Sequence, residues 1–122
     1  MSATFTQESE NTFIVTINGV LAFDDMKAVE RSARDHIDRT DKVRLLVLAG
    51  QFAGWGKGGD WGDLTFMYEF DPYIEKIAIV ANETWKGQFK MFLRVGHRQA
   101  EVVFFAADQE DAARDWLRTV QK

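Results

Sequence analysis

The sequence predicts an α/β domain built on a mostly parallel sheet of about five strands, entered through an N-terminal antiparallel hairpin and accompanied by about four helices. Three observations carry this expectation. Short, nearly continuous apolar runs at Val43–Ala49, Ile77–Ala81 and Ala100–Phe105 suit strands buried on both faces of a parallel sheet. Segments with apolar residues at helical spacing lie between and after those runs. The first two apolar stretches instead alternate with polar residues and are joined by Ser9-Glu10-Asn11, as in a hairpin.

The elements follow in order. Ala3–Glu8 alternates weakly and Thr12–Ile17 more clearly, with Phe13, Val15 and Ile17 on one side; Asn18-Gly19 reads as the turn that ends the second strand. Asp24 is placed to cap a helix in which Met26, Val29, Ala33 and Ile37 share a face, while Lys27, Glu30, Arg31, Arg34 and Asp38 cover the other side. After Val43–Ala49 comes a glycine-dense loop, Gly50–Asp60, and Asp60 is placed to cap a helix from Trp61 to about Phe70. Asp71-Pro72 stops that helix, because a proline pushes the residue before it out of helical geometry. Ile77–Ala81 is the next buried strand, and Thr84 is read as the cap of a helix reaching about Val95 with Gly96 as its exit. Ala100–Phe105 is the last strand; Asp108 opens a final helix whose apolar face is Ala112, Ala113, Trp116, Leu117 and Val120.

At 122 residues the chain suits a single domain over 1–122, long enough to bury roughly two-thirds of its unfolded surface without disulfides or a structural metal. Ten phenylalanines and four tryptophans exceed what a core of this size needs, which leaves aromatic surface for a ligand, a partner or a lipid interface. A formal charge of −4 argues against holding a nucleic-acid backbone by general attraction, so no nucleic acid is expected as a partner. The absence of cysteine excludes thiolate chemistry and fits a reducing compartment. The start MSATFTQESEN has neither a basic nor an apolar run, and no stretch approaches a membrane span, so the expected location is cytoplasmic, with attachment to a membrane surface as its peripheral form.

Candidate chemistry is sparse. Gly54, Gly56 and Gly59 match G-x-G-x-x-G, but several residues separate them from the strand end at Ala49, and Trp55 and Lys57 do not suit a tight phosphate cradle. Lys57 is followed by glycine, not Ser or Thr, so a P-loop is not indicated either. His36 and His97 lack acidic or histidine partners at ligand spacing, and the three serines, Ser2, Ser9 and Ser32, sit in no nucleophile elbow. The expectation is a protein that is not an enzyme and holds no cofactor or metal.

The segment Gly50–Phe70 concentrates Trp55, Trp61, Leu64, Phe66, Met67, Tyr68 and Phe70, apolar on more sides than a sheet alone covers. In Thr84–Val95, Trp85, Phe89, Phe92 and Leu93 form one face, widened by Met91 and Val95, and Lys86, Lys90 and Arg94 stand at i, i+4 and i+8 on another. An aromatic face beside a basic stripe suits an acidic headgroup or a membrane interface, and it also suits an ordinary helix covering a sheet.

The residues Phe52-Ala53-Gly54-Trp55, Trp61-Gly62-Asp63-Leu64, Ile77-Ala78-Ile79-Val80, Trp85, Glu101 with Phe104-Phe105, and Ala113-Arg114-Asp115-Trp116-Leu117 resemble, in that order, the SpoIIAA-like proteins, relatives of the STAS fold of anti-sigma-factor antagonists. The resemblance implies a STAS-like α/β sandwich and, through a link to the CRAL-TRIO lipid-carrier architecture, an apolar ligand or membrane surface. True antagonists are switched by phosphorylating a serine at the start of the helix after the long loop. Here that region reads Gly59-Asp60-Trp61 and no serine follows Ser32, so no such switch is expected.

The combined expectation is a cytoplasmic STAS-like domain that binds an apolar or amphipathic, lipid-like molecule. Trp55, Trp61, Leu64, Phe66, Met67, Phe89 and Phe92 would supply apolar contact, and Lys86, Lys90 and Arg94 would meet an acidic group. The alternative is a homodimeric, regulatory interaction module in which the same surface, at Phe66, Met67 and Phe70, joins two copies.

Overall fold

A computed structural model describes residues 2–9, 11–36, 42–56, 71–92 and 101–118. Five strands, β1 (Ala3–Ser9), β2 (Thr12–Leu21), β3 (Val43–Trp55), β4 (Ile74–Ala81) and β5 (Glu101–Ala106), form one sheet in sequential order. β1 runs antiparallel to β2 as the expected N-terminal hairpin, and the pairs β2–β3, β3–β4 and β4–β5 are all parallel. The helices are α1 (Phe23–His36), α2 (Lys86–Phe92) and α3 (Glu110–Arg118), with short 3-10 turns at Asp71–Tyr73 and Glu83–Trp85. The helix expected over Trp61–Phe70 lies outside the described residues.

The central strands are apolar in both directions because both faces are covered. On one face Phe13, Val15, Ile17, Val43, Val47, Phe52, Ile77 and Ile79 pack with Val29 and Ala33 of α1 and Phe89 of α2. On the other, Leu46, Ala78 and Val80 meet Ala113 and Leu117 of α3, flanked by Ile14, Leu48, Phe105 and Trp116. A strand with no solvent face cannot alternate, and the unbroken apolar run of β4 is the consequence.

Several boundaries differ from the sequence reading. Asn18-Gly19 is not a terminating turn: β2 runs on to Leu21, with Gly19 at φ +67° between two register shifts against β3. Glycine takes that left-handed backbone without a Cβ clash, so it bends the strand instead of ending it. β3 likewise continues six residues past Ala49, so Gly50–Trp55 is strand, not loop. Its extension pairs with the extension of β2, Gly19 with Phe52 and Leu21 with Trp55, after pairing with β4 has ended at Ala49–Ala81.

The caps shift as well. α1 already includes Asp24 and Asp25 in its first turn, where their charge suits the helix dipole. Asn82, not Thr84, caps the turn before α2, its side-chain oxygen accepting the Thr84 N–H at 2.9 Å. Asp108 lies before α3, which starts at Glu110, and the Gln109 carbonyl accepts the first helical bond from Ala113. Ala112, expected on the buried face of that helix, is exposed; Val120, like Ile37 of the first helix, lies outside the described residues.

Two polar devices fix the helices to the sheet. Ser2 donates its N–H to Asp25 Oδ2 at 2.8 Å and its hydroxyl to the same oxygen at 2.7 Å, while its Oγ accepts the Ala22 N–H at 2.9 Å. The Ser2 hydroxyl bond, then the Ser2 N–H bond, hold the Asp25 carboxyl below the ordinary aspartate range. At the other end of the chain, Lys76, fully buried in β4, donates to the Trp116 carbonyl at 3.0 Å with its ammonium 4.8 Å from the Trp116 ring centre. Arg44 donates to the Leu117 carbonyl and pairs with Glu75 at 3.2 Å. Two cations thus meet the last-turn carbonyls of α3, which have no partner inside the helix.

Candidate functional site

The extension of β3 exists because its residues can be covered from one side by α2. Phe52 points to that side and is buried; Trp55, three positions on, closes the strand half-exposed. Asn82 turns the chain after β4 so that Trp85 and then Phe89 come down on the same spot. The Phe52 ring is the centre of the resulting cluster, at 5.0 Å from Trp55, 4.8 Å from Trp85 and 5.0 Å from Phe89, with the two tryptophans edge-on. Such tilted and edge-to-face contacts are the arrangements aromatic quadrupoles favour. Trp55 and Phe89 are themselves 5.7 Å apart.

Two local features hold the tryptophans. The Trp55 indole N–H donates to Gln88 Oε1 at 2.6 Å, which satisfies its polar atom at the surface. Gly54 has φ +133°, and a Cβ there would stand 3.7 Å from the Trp85 ring, so the strand passes directly beneath that indole. Beyond it, the Gly56 N–H donates to the Leu21 carbonyl at 2.7 Å and closes the β2–β3 ribbon.

The solvent side of α2 carries Lys86 and Lys90, both exposed, and Met91, 78% exposed. Met91 therefore does not widen the buried face; the seven-residue helix turns it outward. Lys86 Nζ also stands 5.8 Å from the Phe104 ring centre of β5. The arrangement is a small aromatic platform with half-exposed tryptophans at Trp55 and Trp85, flanked by two ammonium groups and a thioether. Its described residues can contact an apolar group and an anion, and among them there is no nucleophile and no acid–base pair.

Of the sequence-selected residues, the structure brings together Trp55, Phe89, Lys86 and Lys90. Phe89 is buried within the cluster and supports the platform from below. Trp61, Leu64, Phe66, Met67 and Arg94 lie outside the described residues, as does the side chain of Phe92. Phe52 and Gln88 were not selected, although both belong to the site. Phe52 is legible as an apolar aromatic between the glycines at 50 and 54, whereas Gln88 carries no signal.

Of the glycine fingerprint, Gly54 lies within β3, paired with Val20, and Gly59 lies outside the described residues. His36 donates from Nδ1 to the Ser32 carbonyl of its own helix at 2.8 Å, with its ring 5.8 Å from Phe5. Among the described residues no group of three His, Asp or Glu side chains is placed to hold a metal ion, and no helix is long and apolar enough to cross a membrane.

The fold is shared by a solved structure. A crystal structure of an uncharacterized protein with a SpoIIAA-like fold from Shewanella loihica superposes with a TM-score of 0.64 at 19% identity, covering 94% of this chain and 91% of that one. No curated protein matches the chain in sequence. The SpoIIAA-like family model matches residues 12–118, from the start of β2 to the end of α3 and so across every element of the platform. The chain belongs to the SpoIIAA-like family.

Proposed function

We propose that this is a non-catalytic binding domain whose platform at Trp55, Trp85 and α2 takes an amphipathic, lipid-like molecule at the surface of an anionic membrane. The observation that carries this reading is the company of the exposed residues on α2: Lys86 and Lys90 beside Met91, over an aromatic cluster whose two indoles stay half-exposed. Apolar chain lies on the indole edges and the Met91 thioether, and the ammonium groups meet the acidic headgroup. Each lysine near an anionic surface contributes about 1 kcal/mol.

The test is flotation of the full chain with phosphatidylcholine vesicles and with vesicles enriched in phosphatidylserine, read together with tryptophan emission. Binding to the anionic vesicles with a blue shift is expected, and it should weaken as salt rises. A Lys86→Glu, Lys90→Glu pair of changes should reduce binding by roughly 25-fold or more. Unchanged emission and sedimentation with anionic vesicles and with fatty acids sink the reading, and an empty homodimer in native mass spectrometry would favour the interaction-module alternative.

A further inference from the structure

The chain has four methionines and no cysteine, so thioethers are its only sulfur nucleophiles. Met1 and Met67 lie outside the described residues, and the other two have opposite surroundings. Met26, in α1, packs against the core. Met91, in α2, is 78% exposed and belongs to neither core cluster. Oxidation of a sulfur follows the access an oxidant has to it, so these two differ in reactivity as well as in packing.

The helix accounts for the openness at Met91. A helical side chain leans over the turn before it, and its neighbours are the residues three and four positions back. For Met91 these are Gln88 and Gly87. Gly87 has no side chain, and a Cβ placed there would meet nothing within 4 Å, so that flank of the thioether stays open. Gln88 is the residue whose Oε1 accepts the Trp55 indole N–H at 2.6 Å. Met91 therefore stands one turn from the contact that fixes Trp55, on the helix that carries Lys86 and Lys90. A polar oxygen added at its sulfur leaves the fold intact, whereas the same oxygen on Met26 would be forced against the core.

We propose that Met91 is a redox-controlled contact of the platform: a hydroperoxide converts its thioether to the sulfoxide and releases the amphipathic ligand, and reduction restores binding. The release step rests on the membrane-ligand reading; the reactivity of Met91 does not. In the forward step a sulfur lone pair attacks one oxygen of hydrogen peroxide. An S–O bond forms, the O–O bond breaks, and the proton on the transferred oxygen passes to the departing hydroxide, which leaves as water. Sulfur is oxidised by two electrons and the peroxide is reduced by two. In the return step two thiols supply the electrons, the sulfoxide oxygen leaves as water and the thiols become a disulfide. This chain has no cysteine, so those thiols belong to a separate sulfoxide reductase.

The two sulfur states suit opposite surroundings. The thioether is flexible, polarizable and apolar, fit to lie on an acyl chain. The sulfoxide is a hydrogen-bond acceptor, and seating it on an acyl chain strips its water with no donor in exchange. Lys86 and Lys90 keep their charge throughout. Oxidation therefore weakens the apolar half of the contact and leaves the attraction to an anionic surface.

The test treats the full chain with limiting hydrogen peroxide, maps oxidation by peptide mass against time, and follows flotation with phosphatidylserine-enriched vesicles. Met91 should be converted while Met26 is still mostly thioether. With circular dichroism unchanged, vesicle binding should then fall by roughly tenfold, and sulfoxide reductases for both epimers with dithiothreitol should restore it. Met91→Leu, compared only with itself, should bind equally before and after peroxide. Met91 oxidising no faster than Met26 overturns the proposal, as does a Met91→Leu protein that loses binding on the same treatment. Wild type that binds the vesicles equally before and after complete conversion of Met91 sinks the redox control alone. Untreated wild type that binds no anionic vesicle sinks the ligand reading and the release step with it.

Discussion

Single residues here carry conformational constraints that no neighbouring side chain shares. A Cβ at Gly56 would stand 2.7 Å from the Leu21 carbonyl oxygen and 3.3 Å from the Ala22 Cα, both main-chain atoms. Neither can swing aside as a flexible side chain would. Gly56→Ala is expected to lower stability by about 1–3 kcal/mol through forced separation of the β2 and β3 extensions, read as an earlier midpoint in urea. Asp25 makes a different prediction, in pH. Its folded-state carboxyl is held low by the two Ser2 hydrogen bonds, so the stability it contributes is present above the unfolded aspartate value of about 3.9 and is lost as pH falls through the depressed folded value. Thermal melting of wild type and Asp25→Asn should differ most at neutral pH and converge in acid; a gap that widens in acid contradicts the assignment.

Among the elements, α3 shows how a nine-residue helix holds a sheet face. It buries only Ala113 and Leu117 fully, so its docking depends on few apolar contacts together with the two cations at its end. Leu117→Ala should cost about 2–5 kcal/mol, and hydrogen exchange should show α3 amides losing protection before those of β4. Equal loss across both elements would mean that α3 does not open separately. Arg114 adds a tie toward the edge, bonding Glu110 at 2.9 Å and Glu8 of β1. Burial acts to lower the Arg114 pKa, but these two carboxylate partners outweigh it and raise it. At the platform, Phe52→Ala removes the ring on which Trp55, Trp85 and Phe89 converge and should cost about 3–5 kcal/mol, with tryptophan emission shifting to the red. Unaltered emission would place the indoles on other supports.

At the scale of the molecule, burial is greatest in the middle of the sheet. β3 and β4 have a strand on either side, and most of their apolar residues are inaccessible. Slowest amide exchange is therefore expected at Leu46–Leu48 and Ile77–Val80, and faster exchange along β1, which among the described residues pairs with β2 alone. The fold was legible because its evidence is periodic: alternation in the hairpin, continuous apolar runs in the parallel strands, and helical spacing in the covering segments each report which faces are buried. Much less of the site was legible. Lys86, Lys90, Trp55 and Phe89 stood out by type and spacing, but Phe89 turned inward and Met91 outward, since α2 spans only seven residues after a 3-10 turn and its faces rotate accordingly.

Over the described residues, the sequence by itself determined the order of strands and helices, the antiparallel start and the parallel core, and its composition leaves no cysteine chemistry, because each follows from composition or a local repeat. Only the tertiary structure decided where strands end. Gly50–Trp55 has the glycine content of a loop, yet it is strand because β2 extends beside it and α2 covers Phe52. Asn18-Gly19 has the chemistry of a turn, yet the chain runs through it because β3 supplies partners on both sides of the bulge. Such decisions depend on which distant backbone arrives with free hydrogen-bonding groups, and that information is carried by no single stretch of the chain.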